Sequence, residues 1–153
     1  RGLSVGNSFY DPKYSVPENI YNHPLITVPE DVILSDGKEV NVNQIPEGGV
    51  IVDSGKGTLK KLDELINKSK TIIVNGPLGL YEKGFMYGTE HMLTSVASNV
   101  AAKTYIGGGD TVECAVKAHV VSKIDFVSLG GGAMLDYLAD GTLPGIDAVT
   151  KQR

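Results

Sequence analysis

Cysteine occurs once in these 153 residues, at Cys114. No intrachain disulfide can form, and the sequence fits a reducing compartment. Basic residues are outnumbered, 14 against 18 acids, and never gather into a long run, so the formal net charge of −4 argues against nucleic acid as a partner. No apolar stretch approaches the ~18 residues that a membrane span requires, and no secretory pattern opens the sequence. A membrane is therefore not an expected partner, and a cytoplasmic location is expected. The three histidines, His23, His91 and His119, lie far apart with no metal-ligand spacing. Internal repeats and low-complexity stretches are also missing. The first residue is Arg1 rather than Met, which leads to the expectation of a piece of a longer protein.

Against these scarcities the chain is rich in glycine, and two triple runs stand out: Gly107-Gly108-Gly109-Asp110-Thr111 and Gly130-Gly131-Gly132-Ala133. Ordering glycine is costly because it loses more conformational freedom than any other residue. Each run lies between a strand-like and a helix-like pattern, where bare backbone N–H groups at a helix start can hold a phosphate. Asp110 adds a hard oxygen ligand suited to a phosphate-bridging Mg²⁺.

Two textures organise the chain. Residues 1–48 are irregular, broken by Pro12, Pro17, Pro24, Pro29 and Pro46, with short strands expected at Leu25–Val28 and Val32–Leu34. From Gly49 the pattern becomes regular. Strands are expected at Val50–Val52, Thr71–Val74, Lys103–Ile106 and Phe126–Leu129. Helical spacing links Leu59, Leu62, Leu65 and Ile66, then Leu93, Val96, Ala97, Val100 and Ala101. It returns at Val112, Ala115 and Val116, and at Met134, Leu135 and Leu138 before Gly141 and Pro144 end the last helix. Strand–helix alternation with short connections means an α/β fold, a parallel sheet with helices on its faces.

Open α/β sheets place ligands beyond the carboxyl ends of their strands. Three loops there are unusual: Asn75-Gly76-Pro77-Leu78-Gly79-Leu80-Tyr81-Glu82 and the two triple-glycine runs. Asn75 can donate its amide to a phosphate oxygen, and Glu82 can accept from sugar hydroxyls. Asn-Gly-Pro can equally be a plain turn, and glycines can simply permit close helix–strand packing. Ser54-Gly55-Lys56-Gly57-Thr58 fails as a P-loop, because Gly57 follows the lysine where Ser or Thr is needed. It reads as a turn with Thr58 capping the next helix. Neither glycine run is a G-x-G-x-x-G fingerprint. Cys114, near a helix start, is either activated by that terminus or a small buried hydrophobe.

Together these motifs carry a resemblance. Asn75–Glu82, Phe85 with Gly88-Thr89, Gly107–Thr111, Gly130–Ala133 and Leu143-Pro144-Gly145 resemble, in order and spacing, the C-terminal signature of the phosphoglycerate kinase family. The likeness is tight from about Gly49 onward and looser before it, where Val5–Ser8 and Pro29–Val32 resemble earlier segments.

The resemblance implies a Rossmann-like, three-layer parallel sheet with helices on both faces, forming part of a C-terminal lobe. Residues 1–48 would belong to that lobe as an irregular segment and 49–153 would be its nucleotide-binding core, with the N-terminal, substrate-binding lobe absent. It implies phosphoryl transfer between 1,3-bisphosphoglycerate and Mg·ADP, giving 3-phosphoglycerate and ATP. Asn75, Gly76, Pro77, Leu78, Tyr81 and Glu82 would line the nucleotide, with Glu82 on the ribose. Gly108, Gly109, Asp110 and Thr111 would hold the phosphates, Asp110 the Mg²⁺, and the amides of Gly131 and Gly132 would face the transferring group.

The sequence departs from the family pattern in several places. The basic triose-binding patch and catalytic arginine have no counterpart, nor have the phosphate-reaching lysines and the Gly-Gly-Ala-Lys loop. Leu129 stands where threonine is usual, Met134 where serine is common and Lys56 where proline is common, and the Glu82–Phe85 interval is one residue short. The expectation is a nucleotide half-site, inactive alone, from a monomeric parent enzyme. Missing first strands would expose a sheet edge or apolar face and favour self-association. The alternative is a non-catalytic binding or interaction module that retains the fold.

Overall fold

The computed structural model describes residues 17–21 and 23–150. They fall into two units: one running to Glu64 and including Leu78–Gly88, the other made of Leu65–Pro77 and the residues from Thr89 on. The expected likeness at Val5–Ser8 lies outside the described residues.

Among its described residues, the first unit carries a single helical turn, α1 (Glu18–Tyr21), and three short strands, β1 (Asp31–Leu34), β2 (Glu39–Asn41) and β3 (Ile51–Ser54). They form an antiparallel sheet in the order β2-β1-β3. The β1–β2 hairpin turns at Asp36-Gly37, where φ is +83° at Gly37, a conformation that favours glycine. Val32, Leu34 and Ile45 form the buried cluster, with Val40, Val42 and Ile51 packed against it. The expected strand at Leu25–Val28 is absent: the segment is irregular and Leu25 is 85% exposed. Pro24 and Pro29 bracket it, and proline brings no N–H to a ladder. Strand β2, too short for a clear period, escapes the sequence pattern.

Helix α2 (Lys56–Lys68) starts in this unit. Its first-turn amides at Gly57 and Thr58 donate to the Asp31 carboxylate at 2.7 and 2.6 Å. Thr58 is therefore not the cap but lies inside the first turn. Its hydroxyl donates to the Asp31 carbonyl and accepts from the Glu30 and Asp31 amides. Burial pushes the Asp31 carboxyl up, but the hydrogen bonds from Thr58 and from the Gly57 amide outweigh it and hold the group below its ordinary value.

The second unit carries β4 (Thr71–Asn75), β5 (Lys103–Gly107) and β6 (Phe126–Ser128), paired in parallel in the order β4-β5-β6. This bears out the α/β parallel sheet for these three strands, whereas the strand expected at Val50–Val52 is β3 and pairs antiparallel with β1. Helix α3 (Tyr87–Ser98) opens in the first unit and continues into the β4-to-β5 crossover, and α4 (Gly109–Lys117) makes the β5-to-β6 crossover. Right-handed crossovers running the same way place α3 and α4 on one sheet face. There Thr104 and Ile106 are buried, as are Leu93 and Val96 of α3 and Cys114 and Ala115 of α4. Burial pushes the Cys114 thiol up, so it behaves as a small hydrophobe rather than a nucleophile.

Helix α5 (Gly131–Asp140) lies over the other face, where Met134, Tyr137 and Leu138 share a cavity of about 400 Å³ with Ile73, Tyr105 and Phe126. Two details differ from the pattern. Val100 and Ala101 lie outside α3, because the Asn99 amide turns the chain by donating to the Ile66 and Ser69 carbonyls at 2.6 and 3.2 Å. Pro144, read as a terminator, instead opens a further helix, α6 (Pro144–Thr150), at the first helical position that proline tolerates.

Candidate functional site

The parallel register ends with Asn75 opposite Gly107 and Gly107 opposite Ser128. The loops leaving β4, β5 and β6 thus begin at one edge of the second unit, as the sequence pattern anticipates. Their contact is close. A Cβ on Gly131 would lie 2.5 Å from Asn75 Oδ1 and 2.7 and 2.8 Å from Gly108 Cα and N, so only glycine fits there. Gly108 has φ +91° and donates its N–H to the Ser128 carbonyl at 3.1 Å, tying the loop after β5 to the end of β6. The Thr111 hydroxyl, fully buried, accepts from the Gly76 N–H at 2.7 Å and ties α4 to the loop after β4. Met134 packs over Gly107, where any Cβ would collide with it.

The glycines of the two runs therefore divide. Gly131 is required by packing against backbone and Gly108 by its positive φ, whereas a Cβ on Gly107 would displace the flexible end of Met134. A Cβ on Gly109 or Gly132 would meet nothing within 4 Å. Neither has a backbone angle in the glycine region, and glycine within a helix is unfavourable by roughly 0.5–1 kcal/mol relative to alanine. Packing gives no reason for these two residues. Both lie in first turns whose N-cap positions, Gly108 and Gly130, have no side chain to cap with. The helical ladders begin with Val112 N–H on Gly108 O and Met134 N–H on Gly130 O. Among the described residues, no side chain reaches the amides of Gly109, Gly131 or Gly132. Two helix N-termini at one edge thus present backbone donors and positive dipole ends, the arrangement that suits an anion. Asp110 is exposed in the first turn of α4.

The remaining expected residues are placed as follows. Pro77 is half-buried in the second unit directly after Gly76. Leu78, Tyr81 and Glu82 belong to the first unit. There Leu80 N–H joins the Val52 carbonyl at 2.9 Å, and a 3-10 turn spans Tyr81–Lys83 with Glu82 exposed. Leu129, at the position where the resemblance expects threonine, is 76% exposed.

The sequence reading misses one residue, Asp53. It is 5% exposed, and its carboxylate accepts from the Ser54 N–H at 2.8 Å and from the Gly88 N–H, in the first turn of α3, at 3.0 Å. The available signal is an acid inside the otherwise apolar run Ile51-Val52-Asp53.

Among the described residues, no helix is long and apolar enough to cross a membrane. Comparison with known proteins gives a consistent result. The family model described as phosphoglycerate kinase matches residues 1–141. Phosphoglycerate kinase of Methanopyrus kandleri is 40% identical over 129 residues, 82% of this chain and 32% of that protein. The Gallus gallus enzyme of the same name is 34% identical, covering 97% of this chain and 40% of its own length. The solved structure of phosphoglycerate kinase from Coxiella burnetii superposes with a TM-score of 0.82 at 26% identity, over 99% of this chain and 42% of that one. The chain spans well under half the length of the relatives it matches.

Proposed function

The chain belongs to the phosphoglycerate kinase family, and from that premise we propose that the carboxyl edge of its second unit is the Mg·nucleotide half-site of a phosphotransferase. The reaction is phosphoryl transfer between 1,3-bisphosphoglycerate and ADP. The observation that carries this reading is the pair of glycines, Gly109 and Gly132, that packing does not require, at two helix starts with no capping side chain.

In this reading the loop Gly108–Thr111 holds the nucleotide phosphates through the amides of Gly109 and Thr111, while the Gly108 amide keeps its bond to the Ser128 carbonyl. The amides of Gly131 and Gly132 face the phosphoryl group in flight, where positioned donors lower the barrier by stabilising spread negative charge. Asn75, Gly76 and Pro77 shape the edge beside them. On the resemblance, Leu78, Tyr81 and Glu82 contact the nucleoside, with Glu82 on the ribose. Mg²⁺ enters with the nucleotide as part of the substrate. The exposed carboxylate of Asp110, beside phosphate-binding amides, fits that ion, which is typically held by one or two carboxylates plus substrate phosphates. Mg²⁺ supplies charge neutralisation at the phosphates.

The family's triose-binding and catalytic basic residues have no counterpart among these 153 residues. This chain alone therefore binds nucleotide without turnover, since catalysis requires both reactants held in line. The setting is soluble and cytoplasmic.

Calorimetric titration of ADP into the chain, with and without Mg²⁺, tests the reading. Binding should be near millimolar, about −4 kcal/mol, and tighter with Mg²⁺. Asp110→Asn should remove most of the Mg²⁺ enhancement while leaving metal-free ADP binding nearly unchanged. Equal binding by wild type and variant at every Mg²⁺ concentration would contradict the assignment of Asp110.

A further inference from the structure

The first unit contains a buried acid that the proposed reaction does not use. Asp53 sits in β3 at 5% exposure, where an isolated charge is unfavourable unless hydrogen-bonded. Its two oxygens are used on different backbone segments. One accepts from Ser54, the next residue in the strand, and the other from Gly88 at the start of α3. The chain is shaped around this carboxylate. A Cβ on Gly79 would collide with the Phe85 carbonyl and stand 2.8 Å from the Asp53 carboxyl carbon and Oδ1, and a Cβ on Gly88 would collide with Oδ1. The two glycines are near the ends of one segment, Leu78–Gly88, and both leave room for the same carboxylate. Between them Leu80 N–H reaches the carbonyl of Val52, the residue before Asp53. The negative group also lies at the positive end of α3, as a cap supplied from another strand.

We propose that Asp53 is the positioning residue for Leu78–Gly88: it fixes the β3-side anchor and the exit of that segment, and thereby the turn carrying Tyr81 and Glu82. Its consequence for nucleotide rests on the nucleoside contacts proposed above; its consequence for the segment does not. Asp53→Asn isolates the effect, because it keeps the volume that Gly79 and Gly88 accommodate. It replaces one acceptor oxygen with an NH₂ group that cannot accept from an amide.

Backbone hydrogen exchange on the full chain without nucleotide tests the positioning. In Asp53→Asn the amides of Leu80, Gly84 and Gly88 should exchange about tenfold faster, as expected for loss of a charged acceptor in a locally opening segment. Val32 and Val40, in β1 and β2, should keep wild-type protection. Unchanged exchange at Leu80, Gly84 and Gly88 overturns the proposal. So does a collapse of protection throughout β1–β3, which would make Asp53 a general fold determinant.

A second measurement separates positioning from bulk stability. Asp53→Asn should weaken Mg·ADP about tenfold and leave Mg·pyrophosphate, which has no nucleoside, unchanged; a tenfold change is about 1.4 kcal/mol. Equal weakening of both probes overturns the positioning role. If the wild-type chain binds neither probe while the exchange result holds, the nucleotide reading fails and the positioning of Leu78–Gly88 stands.

Discussion

In the first unit, the helix starts of α2 and α3 meet carboxylates that the chain itself supplies: Asp31 on Gly57 and Thr58, and Asp53 on Gly88. In the second unit, α4 and α5 start at Gly108 and Gly130, with no side chain on the amides of Gly109, Gly131 or Gly132. The same physical demand, acceptors for first-turn donors and negative charge for the dipole, is met internally in one unit and left to solvent or ligand in the other. The difference separates helix starts that serve folding from helix starts that are available for chemistry. Glycine follows the same division. At Gly88 it makes room for a protein carboxylate and at Gly79 for that carboxylate and the Phe85 carbonyl, whereas at Gly109 and Gly132 it makes room for nothing the protein provides.

The contrast is open to direct tests. The largest effect should come from Gly131→Ala, whose added methyl has backbone of Gly108 on one side and Asn75 on the other. Overpacking against backbone should lower stability by about 2–3 kcal/mol in urea denaturation. A neutral result would mean that the three loops are not closely packed. Asp31→Ala should follow, at about 2 kcal/mol, because it leaves first-turn amides of α2 without their charged acceptor.

Asp31 also fixes a pH dependence. Its folded pKa lies below the ordinary 3.8. Its stabilisation is therefore complete above that value and is lost as pH falls through the depressed folded value. Thermal melts from pH 6 down to about 2 should flatten in Asp31→Asn relative to wild type over the acid end of that range.

Gly132→Ala reverses the sign. With open space around its Cβ it should raise stability by ~0.5–1 kcal/mol, while weakening Mg·ADP binding by crowding the α5 amides. A stabilised variant with unaltered binding would remove Gly132 from the half-site. The smallest effect is expected at His119, the one described non-glycine residue with positive φ, +57°. His119→Gly should gain a few tenths of a kcal/mol, limited by the added freedom of the unfolded chain.

Much of the second unit is legible in the sequence because its signals are local. Thr71–Val74, Lys103–Ile106 and Phe126–Leu129 are short apolar runs, each followed by glycine-rich or turn residues, and parallel pairing follows from the helices between them. The meeting of three loops at one edge follows from the same topology. Non-local features are not legible. Strand β2 exists through its register with β1 rather than through any period in Glu39–Asn41. Asp53 becomes meaningful only when Gly79 and Gly88, far along the chain, close around it. Asp31 displaces Thr58 as the cap of α2 from a strand 26 residues away. Pro144 has two permitted positions relative to a helix, the first turn and just past the end, and only tertiary context chooses between them.

The account rests on α4 and α5 beginning at amides kept for a ligand. Its most direct test is an NMR titration of the full chain with Mg·ADP, following the amides of Gly108–Thr111, Gly131 and Gly132 alongside those of Gly57 and Thr58. The account predicts saturable shifts at the second unit's helix starts and none at Gly57 or Thr58, where Asp31 already holds the position. A folded sample with no shifts at Gly108–Thr111, Gly131 and Gly132, or with equal shifts at both sets, would contradict it.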